Sequence, residues 1–547
     1  MLAQTLHMPY SSHVDGFARE RLPPPHLWPE FRFDLPELQY PERINCGVVL
    51  LDDAVREGHG DRVALYSDNG VLTYAQLLER SNRIANVLVK DMGVVPGNRV
   101  LLRGPNNPTL VACWLAVMKA GAIAVTTMPL LRAHELSVIA ERARVDHALC
   151  DSRFAQELEH AAALSGQLNN IVYYEADRGG GRLEKMMNGQ ASTFDNVDTA
   201  RDDVCLLAFT SGTTGTPKAT MHFHRDVLAM RAVVADHLLE TSPEDIYVGS
   251  PPLGFTFGLG ALLVFPLGRR GASVLVEQPS GENLLSAVQR CRATALFTSP
   301  TAYRALLPLV SKFEISSLKR CISAGEALPK ATSDAWHAAT GIRIIDGIGA
   351  TELIHIFISA KGEEIRPGTT GKPLPGYQAC ILDPEGLPLP PGKIGRLAIK
   401  GPTGCRYLDD ARQRDYVYQG WNITGDLYSR DEAGYYRFEA RADDMIISAG
   451  YNIAGPEVEA ALLEHPAVKE CAVVGVPDEA RGQIVKAFVV LNDGNEGSAE
   501  LAQTLKQFVK QNIAPYKYPR VIEFRTALPK TATGKLQRHA LRVPPKS

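Results

Sequence analysis

No C-x-x-C pair occurs among the nine cysteines, and their number is odd. Neither a zinc framework nor a disulfide framework is therefore indicated, and a reducing compartment, the cytoplasm, is the expectation. Long hydrophobic runs are also missing. The most apolar stretch, 255–267, is broken by glycines, contains Pro266 and is too short to cross a bilayer core of about 30 Å, so it reads as a buried core segment. Residues 1–10 lack the basic start and apolar centre of a secretory signal. Charge of one sign is not in excess: 58 Lys and Arg face 61 Asp and Glu, a formal net charge of −3. That balance gives no footprint for a nucleic acid or an anionic membrane as partner. No internal repeat and no long low-complexity tract is present.

What is there is a chain of 547 residues with 45% hydrophobic and 22% charged residues. It exceeds the size of about 250–300 residues at which a single core stops growing, so at least two domains are expected. Up to about residue 45 the chain is rich in proline, aromatics and charge, as in Pro23-Pro24-Pro25, and reads as an arm wrapped around a domain. Thr73 and Gln76 have capping-box spacing, and Leu77, Ser81, Ile84 and Leu88 share one face of a helix over 74–89. Short apolar runs at 100–102, 122–126, 148–150, 206–209, 273–276 and 295–297 read as buried strands separated by helical patterns. Such alternation predicts α/β layers with mostly parallel sheets. Proline and glycine punctuate 370–440, which reads as a small β subdomain. The last hundred residues read as a compact α+β unit, with a helix opened by Pro456 over 457–463, strands at 468–474 and 485–491, and a helix face of Leu501, Leu505, Phe508 and Ile513. The expected fold class is α/β, with a large N-terminal domain of layered α/β subdomains and a small β subdomain (1–440), followed by a small mobile α+β domain (441–547).

The run Thr210-Ser211-Gly212-Thr213-Thr214-Gly215-Thr216-Pro217-Lys218 follows the apolar stretch 204–209. Glycines let a backbone approach a ligand closely, and amides, hydroxyls and a cation are what phosphate oxygens need. The run is a candidate polyphosphate loop at the carboxyl end of a strand, where nucleotides bind in α/β folds. It is not a Walker loop, because Lys218 is followed by Ala219 and the glycine spacing differs. Its order resembles the phosphate loop of the adenylate-forming enzymes: acyl-CoA synthetases, peptide-synthetase adenylation domains and luciferases. Five further segments resemble that family in the same order: Ser323-Ala324-Gly325-Glu326-Ala327-Leu328, Asp346-Gly347-Ile348-Gly349-Ala350-Thr351-Glu352, Thr424-Gly425-Asp426, residues 441–453 and 529–535. The resemblance covers nearly the whole chain.

The resemblance implies roles for these residues. Lys218 and the hydroxyls of the first loop would hold the β- and γ-phosphates of ATP. Gly325, Glu326 and Ala327 would flank the adenine and the acyl pocket. Asp346 and Gly347 would approach the adenine edge, with Ile348 standing where many members carry a tyrosine. Thr351 would contact the α-phosphate and Glu352 would bind Mg2+. Acyl-adenylate formation brings two anions together, so it needs a cation and donors that favour the transition state. Asp426 would accept from the ribose hydroxyls, and Arg441 would reach ribose or phosphate. Asp443 would be the hinge about which the C-terminal domain turns. Ser448, Ala449, Gly450 and Tyr451 would line the passage for the CoA pantetheine. Lys535 would bridge substrate carboxylate and phosphate during adenylation and leave before the CoA thiolate attacks.

The segment Pro251-Pro252-Leu253-Gly254-Phe255-Thr256-Phe257-Gly258 aligns with the family's acyl-gate motif. It lacks the aspartate with which amino-acid-activating members pair an α-ammonium group. Residues 219–226, 347–357 and 442–452, together with 28–45, resemble the benzoate and 2-aminobenzoate CoA ligases more than the fatty-acid enzymes. A flat aryl acid would suit a slot walled by Phe255, Phe257, Gly325, Gly349, Ala350 and Ile356, with His355 placed either to accept from an ortho-amino group or as a packed core histidine. The expected substrates are an aryl carboxylic acid (2-aminobenzoate, then benzoate), ATP and CoA. A carrier-protein phosphopantetheine as acceptor, a fatty acid as substrate, and a monomer or a homodimer all stay open. The presence of Lys535, Asp426 and Glu352 weighs against a regulator that only binds nucleotide.

Overall fold

The computed structural model describes residues 10–176, 180–210, 217–442, 444–448, 451–478, 481–513, 515–530 and 536–542. Two large sheets lie at its centre. A six-stranded sheet runs in the order Asn170–Tyr174, His147–Asp151, Arg99–Arg103, Ile123–Thr127, Val204–Thr210, Lys218–Phe223. Its pairs are parallel except the last, which is antiparallel. A nine-stranded sheet contains Ile356–Ser359, Ile344–Gly349, Arg320–Ala324, Ala295–Thr298 and Ile246–Gly249 as consecutive neighbours. The helix Pro108–Lys119 has all twelve residues buried. Pro108 at its first turn and the Asn107 side chain, which accepts from the Leu110 amide, set its start. Its buried Lys119 is paired with Asp52 at 2.5 Å.

The capping box at Thr73 and Gln76 is present in both directions, and the helix it opens, Tyr74–Asn86, buries Leu77, Ser81 and Ile84. The helical path continues past the expected α-helix as a wider π-type turn, Val87–Asp91. The apolar stretch around Phe255 is buried as three short helical pieces, Thr256–Leu259, Gly260–Val264 and Phe265–Gly268. Among the described residues no helix is long and apolar enough to cross a membrane.

The Pro/Gly-punctuated region forms an antiparallel sheet of Gln378–Leu382, Gly395–Lys400, Trp421–Arg430 and Val417–Tyr418, with Tyr436–Arg441 also paired to Trp421–Arg430. A separate five-stranded sheet then begins at Ile446–Ser448 and is built on the long hairpin Val468–Asp478 and Gly482–Leu491. Helices Gly455–Leu463 and Ala499–Asn512 cover its core of Ile446, Val458, Val473, Val485 and Leu505. The fold is thus mixed α/β, a large N-terminal part followed by a smaller C-terminal one. The N-terminal arm binds distant parts of the large domain. Ser12 Oγ donates to Asp203 at 2.7 Å, Lys400 pairs with Glu30 at 2.5 Å, Phe31 bridges Gly401, and Gln413 donates to the Leu27 carbonyl at 2.9 Å.

Candidate active site

Strands Val204–Thr210 and Lys218–Phe223 pair antiparallel as far as Thr210 opposite Lys218. The candidate phosphate loop therefore leaves and re-enters at one point, next to the parallel strand Ile123–Thr127. Ser211, Gly212, Thr213, Thr214 and Gly215 lie outside the described residues, as do Asp443, Ala449, Gly450 and Lys535. Lys218 is held from below: its Nζ donates to the Tyr407 hydroxyl at 3.2 Å and sits 5.1 Å from that ring's centre. Tyr407 in turn donates to Glu352 Oε1 at 2.5 Å. Burial and the Glu352 carboxylate push the Tyr407 phenol far above its ordinary value, so it stays a donor. Thr351 and Glu352 form the turn Thr351–Leu353, whose first carbonyl accepts from His222 Nε2 at 2.8 Å. Glu352 Oε2 has no hydrogen bond among the described residues, so one oxygen of a largely buried carboxylate remains for a cation. A single hard carboxylate beside a phosphate site fits Mg2+, which takes one or two carboxylates and completes its shell with phosphate and water.

The candidate base and ribose residues come from two other strands. Ser323 and Ala324 pair with Asp346 and Gly347, and the chain turns away at Gly325 with φ +89, which suits glycine. Gly325 and Ala327 are exposed, while the Glu326 carboxylate accepts from Thr301 Oγ1 at 2.7 Å and so braces the helix Pro300–Leu306. Asp346 Oδ1 is shielded from solvent without a hydrogen-bond partner, and burial raises this carboxyl to about 7. A Cβ on Gly347 would stand 2.8 Å from Ile356, which is why the position is bare. Ile348 packs half-buried on the core. Asp426 lies opposite Arg441 in the antiparallel pair, and Arg441 Nη1 donates to Asp426 Oδ1 at 2.9 Å. Burial raises Asp426, and Arg441 draws it back down. In the C-terminal part Ser448 is buried and pairs with Tyr451 across the hairpin.

Beyond Glu352 the backbone makes an uncommon turn. Ile354 has φ +65, and the His355 amide donates to the Leu353 carbonyl at 2.9 Å, closing a three-residue γ-turn. Such a conformation is strained for a β-branched residue and persists only where packing enforces it. Its effect is to drive His355 inward, to 3% exposure. The imidazole meets Phe265 edge-on at 4.7 Å and Phe257 at 5.6 Å, and Phe257 meets Phe297 at 6.0 Å. Gly260 makes room for it, since a Cβ there would lie 2.5 Å from the ring, and a Cβ on Gly349 would lie 2.8 Å from the His355 backbone. By geometry neither ring nitrogen completes a hydrogen bond; burial lowers the imidazole to about 3, offset only slightly by the nearby Phe257 backbone, so it is neutral. Ala350 is half-buried and Ile356 buried beneath this wall. Phe255 is half-buried and caps the turn Thr256–Leu259, while Phe257, Phe265, Phe297 and His355 form one connected aromatic cluster.

The family profile described as AMP-binding enzyme matches residues 51–406, and that of the AMP-binding enzyme C-terminal domain matches residues 457–535. The chain belongs to the AMP-binding enzyme family. It is 35% identical over 519 residues to a benzoate–CoA ligase of Thauera aromatica, covering 93% of this chain and 97% of that protein. It is 34% identical to the mitochondrial acyl-coenzyme A synthetase ACSM3 of Mus musculus, over 84% of this chain and 82% of that one. Among solved structures it is similar to the anthranilate CoA ligase AuaEII in complex with anthranoyl-AMP, with a TM-score of 0.88, 35% identity and coverage of 93% and 98%. This AMP-binding enzyme is accordingly an AMP-forming acid–thiol ligase.

Two side chains of the AMP-binding enzyme's site were not anticipated from the sequence. Tyr407 reaches Glu352 and Lys218 from the loop after Gly395–Lys400, and nothing in Cys405-Arg406-Tyr407 advertises it. His222 braces Thr351 while its other edge faces the buried Asp226–Arg406 pair. The segment 219–226 entered the reading only as family wording, although the histidine-to-aspartate spacing of four on a strand-to-helix junction was visible.

Proposed function

We propose that this chain activates an aryl carboxylic acid, 2-aminobenzoate or benzoate, with ATP and transfers the acyl group to CoA. The observation that carries the reading is His355, a neutral imidazole with two unpartnered nitrogens set into a wall of phenylalanines. A buried acceptor without a donor costs free energy unless a ligand supplies one, and an ortho-amino N–H on a flat ring is such a donor. Both the benzoate–CoA ligase and the anthranilate CoA ligase among its relatives support an aryl acid; the acyl-coenzyme A synthetase supports only the coarser reaction.

In the first half-reaction a carboxylate oxygen attacks the α-phosphorus, the bond to pyrophosphate breaks and an acyl-adenylate forms. Lys218 and the loop 211–216 hold the departing phosphates, Thr351 meets the α-phosphate, and Asp346 and Asp426 hold base and ribose. Mg2+ on Glu352 would neutralise the charge that gathers on the phosphates. Lys535 bridges the two anions. In the second half-reaction the C-terminal domain, 441–547, turns about Asp443, Lys535 withdraws, and the CoA thiolate enters past Ser448–Tyr451. It attacks the acyl carbon and AMP leaves with the bonding electrons. The nine free cysteines suit action in the cytoplasm.

The deciding experiment compares kcat/KM for CoA-dependent AMP release with 2-aminobenzoate, benzoate, 4-hydroxybenzoate, a medium-chain fatty acid and phenylalanine. The highest value is expected for 2-aminobenzoate. A clear preference for the fatty acid overturns the aryl assignment and leaves the ligase chemistry standing. With Lys535→Ala, acid-dependent pyrophosphate exchange should fall at least about 100-fold, while thioester formation from supplied aryl-AMP is retained. Exchange at the normal rate removes the role given to Lys535.

A further inference from the structure

Away from the nucleotide site, three soft donors converge in the core. Cys46 follows the N-terminal arm, Cys205 lies at the start of strand Val204–Thr210, and His224 opens the helix His224–Met230. All three are buried, and one ligand atom from each lies within 4.8 Å of the others. His224 Nδ1 is 3.2 Å from Cys46 Sγ. We propose that Cys46, Cys205 and His224 form a structural binding site for a thiophilic closed-shell divalent cation, of which zinc is the ordinary member.

Two thiolates and an imidazole are the donor set such an ion prefers, and two thiolate charges cancel those of the cation, which a buried site requires. Binding follows M2+ + 2 R–SH → M(SR)2 + 2 H+, with no change of oxidation state, so uptake strengthens as pH rises. The Nδ1 lone pair now accepts the Cys46 amide at 3.2 Å, a long hydrogen bond that the ion would replace. The site would staple the arm to the base of the hairpin that carries the phosphate loop, since Val204 pairs with Phe223 at that base.

The test uses the full chain, reduced and stripped of metal. One equivalent of Cd2+ should produce a thiolate-to-metal charge-transfer band, and one equivalent of Zn2+ should raise Tm. Both effects should vanish in Cys46→Ala and Cys205→Ala and persist in Cys113→Ala. X-ray absorption on the wild-type zinc form, which needs no variant to fold, should show two sulfurs at about 2.3 Å and nitrogen at about 2.0–2.1 Å. No band at one equivalent, a band that survives in both variants, or a zinc shell of nitrogen and oxygen alone overturns the proposal.

Discussion

The Tyr407 hydroxyl donates to Glu352 Oε1 at 2.5 Å, joining residues 55 positions apart. One half of the carboxylate is thereby committed to the protein, and the orientation of the other half is set. A hydrogen bond to a charged group is worth about 1.5–3 kcal/mol. Tyr407→Phe should therefore lower kcat/KM for MgATP in pyrophosphate exchange by about 10–100-fold. Because the same hydroxyl accepts from Lys218, the required Mg2+ concentration should rise as well. An unchanged kcat/KM in the folded variant would show that Glu352 needs no such support.

His355 yields a prediction in which stability and selectivity move in opposite directions. Its folded value, about 3, lies below the unfolded 6.5, so between those limits the unfolded chain binds more protons. Stability is thus lost as pH falls from about 6.5 towards 3. His355→Leu removes that loss and two unpartnered buried nitrogens, and should leave Tm at pH 7 equal or higher and flatten its fall in acid. The preference for 2-aminobenzoate over benzoate should disappear in the same variant. Steady-state kinetics with both acids checks the second part, and a retained preference would return His355 to the status of a packed core histidine.

With the role proposed for it, Asp346 should give ATP recognition a pH dependence. Burial holds the carboxyl near 7, and only its ionised form is a full acceptor for an amino group. KM for ATP should rise as pH drops through about 7 in the wild type. In Asp346→Asn, which keeps an acceptor oxygen but does not titrate, the profile should be flat. The two profiles measured at saturating acid and Mg2+ separate this effect from the titration of other groups.

Asp426 is expected to act in binding more than in chemistry. Losing its charge weakens hydrogen bonds worth about 1.5–3 kcal/mol, so Asp426→Asn should raise KM for ATP by about 10-fold or more and change kcat much less. Arg441 loses this ion pair at the same time, so calorimetric ATP affinity, rather than turnover alone, is the measurement that decides.

The sequence made local signals legible and left distant ones hidden. Thr73 and Gln76 announced a helix start because a capping box is complete within four residues. Short apolar runs located the strands Val204–Thr210 and Ala295–Thr298 to within two residues, since burial on both faces leaves continuous hydrophobic stretches. Motif order is what nominated Glu352, Asp346 and Asp426 as site residues. Tyr407 escaped because its function depends on a contact across a turn of the small β subdomain, which composition does not encode. The turn that sends His355 inward escaped for another reason: a β-branched residue at positive φ, Ile354, is the opposite of what local preference would place there. Phe255 and Phe257 were both assigned to the wall on motif position, and the helical turn beginning at Thr256 brings Phe257 against His355.

The N-terminal arm has a consequence for how the chain is made. Its docking partners include Lys400 and Gln413, reached from Glu30 and Leu27 across sequence separations of 370 and 386 residues. The arm is made long before these partners and must therefore wait for most of the polypeptide before it finds its place, and its closure belongs to the slow, non-local end of assembly. A bulky fusion ahead of residue 10 would burden maturation of the enzyme more than the turnover of molecules already folded.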